Sequence, residues 1–301
     1  MAKPFTLRFN ATEEEKGILL RDYLSRKRIS KAALTDIKFR GGKIMVNGRV
    51  ENVRYKIQQD DEILVQYPPE AGSEKMKGDP IPLNIRYEDD YVLVIEKPAG
   101  MSTIPSREHP SKSLANAIVH YYEEIGHQAA VHIVTRLDRD TSGLVLIAKH
   151  RHIHHLFSLS QREKSVSREY LALVEGHIAP LEGSVDGPIG MMGDSIIKRE
   201  VRSDGQSALT FYKTIKQFPS YSFVRLKLMT GRTHQIRVHM SDLGHPLLGD
   251  DLYGGTRDLI ARQALHCGFL NFHHPITGEH MRFESPLPAD IQKLVNCTRK
   301  G

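Results

Sequence analysis

Charged residues of both signs crowd the segment HIVTRLDRDTSGLVLIAK, residues 132–149, just before an apolar run. Gly143 and the apolar residues after it predict a loop that leads into a buried strand, so Asp138 lies where that loop meets the core. Such positions often carry catalytic groups on a rigid scaffold. The alternative is that Asp138 and Asp140 accept hydrogen bonds from turn amides, with the neighbouring arginines as their surface partners. This segment leaves both uses open.

A second candidate segment is LMTGRTHQIRVHMSDLGHPLLGDDLYGG, residues 228–255. Its pattern predicts a strand end followed by a helix that begins near Thr233, with Arg237 on the same face as Thr233 and Met240. If that face turns inward, Arg237 needs a carboxylate, because a partly buried guanidinium is tolerated only when it is paired. Asp138 is the natural partner, and the pair would keep the aspartate ionised. The alternative is an arginine that binds nearby backbone carbonyls.

A third segment, SVSREYLALVEGH at residues 165–177, predicts a strand by its alternation. One face would carry Tyr170, Ala172 and Val174, and the other Glu169, Leu171 and Leu173. A tyrosine in such a strand is more often a core residue than a catalytic one. Only its spatial partners would give Tyr170 a chemical role.

The composition is that of a globular protein, with 40% hydrophobic and 26% charged residues in 301. The N-terminus lacks the apolar stretch of a signal peptide, and no run approaches the roughly 18 apolar residues of a membrane span. Two cysteines are too few for a disulfide framework, which suits a reducing compartment. We therefore expect a cytoplasmic protein with no membrane partner.

The positive charge is concentrated in one short segment. The formal net charge is +6, yet the segment from Arg21 to Lys56 carries eleven lysines and arginines against three acids, an excess of eight. The rest of the chain therefore has a small negative balance. A local basic surface of this kind is either a solvated face or a binding site for a polyanion such as nucleic acid.

The same segment predicts two helices followed by a small sheet. Leu19, Leu20, Tyr23 and Leu24 form an apolar helical stripe, and Ser30 can cap a second helix. A hairpin turn is predicted at Asn47-Gly48, and a further strand at EILVQY. Residues from about 15 to 67 resemble the S-four-like domain, a small RNA-binding module, over LLRDYLSRKRISKAALTDIKFRGGKIMVNGRV. The resemblance implies that this helical face contacts RNA phosphates, and we expect the contacts to come from Arg26, Lys27, Arg28, Lys31, Lys38 and Arg40.

The segment PPEAGSEKMKGDP, residues 68–80, has the composition of a linker. We therefore divide the chain into an N-terminal domain with its extension at 1–72, a linker at 73–80 and a C-terminal domain at 81–301. The C-terminal domain alternates short strands with turns and has predicted helices at 112–125, 151–162 and 233–243. Strands that follow one another without intervening helices predict a mixed α+β fold with mainly antiparallel pairing.

Over about 80–290 the chain resembles the RluA-type pseudouridine synthase family. The resemblance rests on VLVIEKPAGM, RLDRDTSG, the strand with Tyr170, and GRTHQIRVH followed by GHPLLGD, in the family's order and spacing. It implies that Asp138 is the catalytic aspartate, Arg237 its salt-bridge partner and Tyr170 the aromatic residue that packs on the target base. It also implies that Arg136 enters the RNA stack when the target uridine is flipped. From the same motif we expect substrate contacts from Arg232, His234 and Gln235.

The resemblance implies isomerisation of specific uridines to pseudouridine in structured RNA, with large-subunit ribosomal RNA expected and transfer RNA as the alternative. The reaction imports no group and transfers no electron, so we expect no cofactor. The histidines of KHRHIHHLF, residues 149–157, form pairs that supply only two ligands each, so we also expect no metal. The other interpretation is a catalytically silent RNA-binding protein that takes part in the assembly of a ribonucleoprotein, but such a protein would not need Asp138, Tyr170 and Arg237. We expect the protein to be a monomer.

Overall fold

The structure is a computed structural model that describes residues 4–70, 72, 76–106, 109–193 and 195–297. Of the predicted linker, residues 76–80 lie within these ranges and form neither helix nor strand, whereas 73–75 lie outside the described residues. No helix of the described chain is long and apolar enough to cross a membrane.

The N-terminal part combines two short helices with a four-stranded sheet. Its elements are β1 (Thr6–Asn10), α1 (Leu20–Arg26), α2 (Lys31–Phe39), β2 (Lys43–Val46), β3 (Arg49–Val50) and β4 (Glu62–Gln66). The sheet has the order β1-β4-β2-β3 and is antiparallel throughout. The sequence pattern predicted both α-helices and every strand of this part except β1, which adds an edge strand beside β4. It did not predict the short 3-10 helix at Glu13–Glu15.

Local chemistry explains why these elements form where they do. The Ser30 side chain accepts a hydrogen bond from the Ala33 amide at 3.1 Å and so caps α2. Asn47 and Gly48 have φ angles of 50° and 77°, which the tight turn between β2 and β3 requires. The apolar stripe of α1 packs on the sheet in a core of its own, which also contains Ile63. Burial of each such side chain contributes about 1.5–3 kcal/mol.

The longer C-terminal part is built on one large sheet. Its strands are β5 (Ile85–Glu88), β6 (Val92–Lys97), β7 (His132–Ile133), β8 (Ser142–Ala148), β9 (Ser167–Glu175), β10 (Glu182–Asp186), β11 (Ile189–Met191), β12 (Arg199–Val201), β13 (Leu209–Gln217), β14 (Tyr221–Leu228), β15 (Leu265–His273) and β16 (His280–Glu284). The main path runs β10-β13-β14-β9-β15-β8-β6-β5, with β16 paired to β15 and β7 to β8, while β11 and β12 form a separate hairpin. The predicted α+β class with mainly antiparallel pairing is confirmed.

Among the described strands, β8 and β15 form the one parallel pair of this sheet. This pair places the loop before β8 next to the centre of the sheet. Gly143 lies at the start of β8 with a φ angle of 117°. A Cβ atom at Gly143 would collide with the backbone carbonyl of Cys267 on β15, so only glycine permits this close approach. Every residue of β8 is buried, and the strand forms the middle of the main core with β6.

The helices of this part are α3 (Leu114–Glu124), α4 (Arg151–Arg162), α5 (Gln235–Asp242) and α6 (Ala289–Val295). α3 and α4 lie where the sequence predicted helices. The third prediction was wrong at its start, because His234 adopts a left-handed conformation with φ 57° and α5 begins only at Gln235. Thr233 is therefore outside the helix and does not share a helical face with Arg237 and Met240.

Candidate active site

Asp138 lies in the loop that enters β8, and side chains distant in sequence fix that loop. The Thr103 hydroxyl donates to the carbonyl of Leu137 at 2.6 Å and accepts from the Leu137 amide at 3.1 Å. The Arg262 guanidinium donates to the carbonyl of Asp140 at 3.0 Å. Because both flanking positions are clamped, the Asp138 side chain is presented from a fixed backbone, with 28% of it exposed.

Lys97, at the end of β6, is completely buried and binds the loop that carries Asp138. Its Nζ donates hydrogen bonds to the carbonyls of Pro98 at 2.9 Å, Met101 at 2.7 Å and Arg139 at 3.0 Å. Burial lowers the pKa of Lys97 to about 7, although the charges of Asp138 and Asp140 raise it in part. The sequence reasoning did not identify Lys97 as a site residue, because its partners are backbone carbonyls that no motif shows.

Arg237 joins two carboxylates inside the protein. Its Nη1 lies 3.2 Å from Oδ2 of Asp138, while Nε and Nη2 donate to the two carboxylate oxygens of Asp250 at 2.7 and 2.8 Å. Burial acts to lower the pKa of Arg237, but the hydrogen bonds and charge of Asp250, together with Asp138, raise it above its ordinary value. The structure thus brings Asp138 and Arg237 together as predicted. It adds Asp250, whose side chain is fully buried and which the sequence reasoning missed.

His234 stands beside this cluster. Its Nε2 is 3.9 Å from Oδ2 of Asp138, and its Nδ1 is 2.8 Å from the hydroxyl of Tyr253. The ring of Tyr253 in turn lies under the guanidinium of Arg237, 4.9 Å from its centroid. Burial lowers the pKa of His234 against the opposing effect of Asp138. A left-handed backbone is costly for a residue with a side chain, so these contacts must hold His234 in place.

Tyr170 projects from β9 into the same region. It is 4% exposed and lies opposite Leu226 of β14 and Cys267 of β15. Burial raises the pKa of Tyr170, which keeps the phenol neutral. The predicted strand face is confirmed, since Tyr170, Ala172 and Val174 belong to the main core.

The three segments meet around a small cavity of about 60 Å³. Its walls include Arg136, Asp138, Tyr170, Leu228 and Arg237. The cavity shares Asp138 and Arg136 with an open groove of about 760 Å³. A carboxylate held by a guanidinium, beside an aromatic ring and below a wide groove, can act on one unit of a long polymer that lies in the groove.

A family model described as RNA pseudouridylate synthase matches residues 91–242, which include Asp138, Tyr170 and Arg237. The chain belongs to this family. It is therefore an isomerase that converts uridine in RNA to pseudouridine. The resemblance seen in the sequence is confirmed for the family and for the reaction.

Relatives support the family assignment over most of the chain. An RNA pseudouridine synthase of Bacillus subtilis, YjbO, is 52% identical over 276 residues, which are 92% of this chain and 98% of the relative. Ribosomal large subunit pseudouridine synthase D of Pseudomonas aeruginosa is 38% identical over 86% of this chain and 85% of its own. The solved structure of human RNA pseudouridylate synthase domain containing 1 superposes with a TM-score of 0.58 at 26% identity, covering 72% of this chain and 95% of the other.

The predicted substrate contacts of the synthase differ in their surroundings. Gln235 is 2% exposed, and protein groups already use all of its amide hydrogen-bonding capacity: its Oε1 accepts from Thr230 and the Arg232 amide, and its Nε2 donates to Leu209 and Thr210. The exposed Arg232 bonds the carbonyl of Ser207 at 3.0 Å through Nε. Arg136 is exposed, and its side chain makes no hydrogen bond to any residue that the structure describes.

The basic residues of the N-terminal part of the synthase are mostly on the surface. Exposed positions are Arg26, Arg28, Lys31, Lys38 and Arg40. Lys27 is half-buried instead, because its Nζ binds Glu15 at 2.9 Å and lies over the ring of Tyr23. Arg40 pairs with Asp36 at 3.3 Å.

Arg28 lies between these helices and the groove beside Asp138. Its Nη2 lies 3.6 Å from Glu163, the residue that follows α4. Gln161 and Lys164, on either side of this pair, line the groove. A polyanion in the groove could therefore continue onto the basic helices.

The histidines of residues 149–157 have roles within the protein. His150 stacks on Phe5 with ring centroids 3.8 Å apart and has its Nε2 3.0 Å from Glu70. His152 is buried beside them. No group of three or more potential ligands that could hold a metal occurs in the described ranges.

Proposed function

We propose that this synthase modifies specific uridines of large-subunit ribosomal RNA, with Asp138 as its catalytic aspartate. The observation that carries the proposal is the position of Asp138 at the junction of the groove and the small cavity, held by Arg237. Relatives named ribosomal large subunit pseudouridine synthase D, from three bacteria, are 36–39% identical over at least 86% of this chain. They favour ribosomal over transfer RNA as the substrate.

The reaction exchanges one bond for another within the same nucleotide. The bond between uracil N1 and sugar C1′ breaks, and its electron pair stays with the uracil. The uracil then turns, a bond forms between C5 and C1′, the C5 proton is lost and N1 gains a proton. The site must therefore retain a detached base beside a reactive sugar, which is a task of positioning and electrostatics.

Asp138 has two chemical routes. Its carboxylate can attack C1′ and form a covalent sugar intermediate, or it can take the proton from C2′ so that a glycal forms. Both routes need an ionised carboxylate with one oxygen directed at the sugar. Arg237 occupies Oδ2 of Asp138, so we assign the approach to the sugar to Oδ1.

The residues around Asp138 act in two ways. Tyr170 provides the ring against which the uracil packs. Flipping the uridine out of the RNA stack costs a few kcal/mol, and Arg136 fills the gap that the flipped base leaves. His234 and Arg232 line the cavity and can reach the nucleotide. Gln235 is assigned a positioning role instead of substrate contact, because its amide is saturated by protein groups.

The N-terminal part is proposed to hold the same RNA outside the catalytic site. Its exposed basic helices and the Arg28 contact beside the groove support this role. We keep the division into residues 1–72, a linker at 73–80 and 81–301 as part of the proposal. We also propose that the protein acts as a monomer, since Asp138, Tyr170 and Arg237 come together within a single chain.

Site mapping in total cellular RNA tests the proposal. Carbodiimide adducts that remain on pseudouridine stop primer extension, so each site is read at single-nucleotide resolution. The comparison uses cells that lack the gene and the same cells supplied with the wild type or with Asp138→Asn. We expect a large-subunit site to disappear on deletion and to return with the wild type alone. Loss of sites in transfer RNA only would overturn the substrate, and rescue by Asp138→Asn would overturn the catalytic assignment.

A further inference from the structure

Arg168 is a second cation at the cavity that the motifs did not single out. It lies on β9 two residues before Tyr170, so both side chains leave the strand on the same face. It lines the groove and the small cavity, as does Asp138. Its guanidinium reaches across to Gly231, where a Cβ atom would come within 3.0 Å of Nη2. The absence of a side chain at Gly231 thus leaves room for this guanidinium.

Arg168 is half-buried and has no partner within the described part of the chain, whereas Arg136, which also has none there, is exposed. Arg237 binds two carboxylates, and Arg225 on the adjacent strand pairs with Glu169. Arg168 is half-buried, yet neither a carboxylate nor a carbonyl of the described residues accepts from its guanidinium. A partly desolvated guanidinium without acceptors is unfavourable, which indicates that its natural partner arrives with the substrate.

The charges around the cavity indicate what that partner is. Asp138, Asp250 and Arg237 form a cluster with one net negative charge, which disfavours a second anion nearby. The reaction nevertheless creates such an anion, because the electron pair of the N1–C1′ bond stays with the uracil and spreads to its carbonyl oxygens. Arg168 is the half-buried cation that faces the same cavity without an internal partner.

We propose that Arg168 donates hydrogen bonds to a uracil carbonyl oxygen and stabilises the uracil anion between cleavage of N1–C1′ and formation of C5–C1′. This inference rests on the proposed function, since it takes Asp138 as the group that acts on the sugar. The interaction strengthens as negative charge develops on the base. It therefore accelerates cleavage more than it tightens the binding of the RNA.

The test compares Arg168→Met, Arg168→Lys and wild type on a synthetic RNA that carries the mapped uridine. Loss of one preorganised donor to a developing oxyanion lowers a rate by about 10²–10³-fold. We expect a loss of this size in the single-turnover rate of Arg168→Met, with RNA affinity little changed and partial recovery in Arg168→Lys. Arg225→Met is the matched control, because it removes an arginine from the opposite face of the neighbouring strand.

A second substrate identifies the step. Fluorine at C5 withdraws electrons and makes the uracil a better leaving group, so cleavage of 5-fluorouridine needs less stabilisation. This substrate carries fluorine in place of the C5 hydrogen and cannot complete pseudouridine formation, so the rate compared on it is the consumption of 5-fluorouridine. The defect of Arg168→Met should be several-fold smaller in that rate. A wild-type rate for Arg168→Met, or an equal defect on both RNAs, would overturn the proposal. So would weaker RNA binding with a normal rate at saturation, which indicates a phosphate contact. Failure of Asp138→Asn to lose activity would instead overturn the proposed function.

Discussion

Asp250 determines where the guanidinium of Arg237 points. It binds Nε and Nη2 in a bidentate pair and leaves Nη1 for Asp138. Without Asp250, the guanidinium of Arg237 could rotate and present Nε and Nη2 to Asp138. The carboxylate of Asp138 would then lose its fixed orientation. The buried Asp250 therefore positions Asp138, the proposed catalytic aspartate, although Asp250 is not part of the cavity wall.

Asp250→Asn should reduce both stability and catalysis. The substitution keeps the shape but removes the charge that compensates a buried guanidinium, so we expect a loss of about 3 kcal/mol in the free energy of unfolding. We also expect a single-turnover rate at least about tenfold lower. Asp251→Asn is the control, because the Asp251–Arg257 pair is exposed and contributes at most about 1 kcal/mol. Equal behaviour of the two variants in denaturant melts and rate measurements would contradict this role.

The sequence could nominate Asp138, Tyr170 and Arg237 because each lies in a compact motif. It could not identify Asp250 as a partner, since a loop of unknown path follows α5 and the pairing depends on how that loop returns. The sequence also could not identify Lys97 as a site residue. Its Nζ binds backbone carbonyls, which every residue type has, so no sequence motif indicates these contacts. Gln235 was predicted to bind substrate, and only its internal partners indicate a positioning role.

Helix α2 presents an aromatic side chain among its cations. Phe39 is 79% exposed and is flanked by Lys38 and Arg40. An exposed phenyl ring has no benefit for folding, but it provides a surface on which an unpaired base can stack. The helix that we propose to bind RNA thus carries exposed basic side chains together with a surface for stacking.

Phe39→Ala should weaken RNA binding by about 1–3 kcal/mol, because base stacking on the ring is lost. The free energy of unfolding should change by less than about 0.5 kcal/mol, since the side chain packs little. Filter binding with the mapped RNA measures the first quantity and a denaturant melt the second. Phe211→Ala removes another exposed ring, on β13, and should leave binding unchanged. If Phe39→Ala bound the RNA with wild-type affinity, this face of α2 would not be the RNA-binding surface.

Element prediction succeeded where local chemistry decides the conformation. A serine cap and an apolar stripe were sufficient for α2, and alternation was sufficient for β9. The prediction of where α5 starts was wrong. The left-handed conformation of His234 is stabilised by contacts with Tyr253 and Asp138, which are distant in sequence. Strand β1 was not predicted, because its five residues form a strand only through pairing with β4.

At the scale of the whole molecule, Glu70 connects the N-terminal part with the larger sheet. Its carboxylate contacts the rings of His132 at 2.7 Å and His150 at 3.0 Å and accepts from the Arg151 amide at 2.8 Å. Burial acts to raise the pKa of Glu70, but the hydrogen bond with His132, the charge of His150 and the Arg151 amide lower it to about 2. Folding therefore favours the ionised carboxylate.

This shift predicts a loss of stability in acid. In the folded protein the pKa of Glu70 is about 2, below the ordinary value of 4.5. The contribution of ionised Glu70 to the free energy of unfolding is therefore complete above pH 4.5 and disappears as the pH falls from 4.5 toward 2. The unfolding free energy of the wild type should exceed that of Glu70→Gln by roughly 3 kcal/mol near neutral pH, and the excess should vanish in that window. Glu62→Gln, at an exposed carboxylate, is the control. A difference independent of pH would contradict this account.

The most direct test of the central claim measures hydrogen loss at C5 of uridine. Pseudouridine formation joins C5 to C1′ and releases the C5 hydrogen, so RNA labelled with tritium at that carbon releases one tritium for each turnover. Purified wild-type protein should release tritium in proportion to the pseudouridine formed. Asp138→Asn, with the same fold and RNA affinity, should release none above background, because an amide neither attacks C1′ nor accepts the C2′ proton. Release by Asp138→Asn at the wild-type rate would contradict the assignment of Asp138 as the catalytic aspartate.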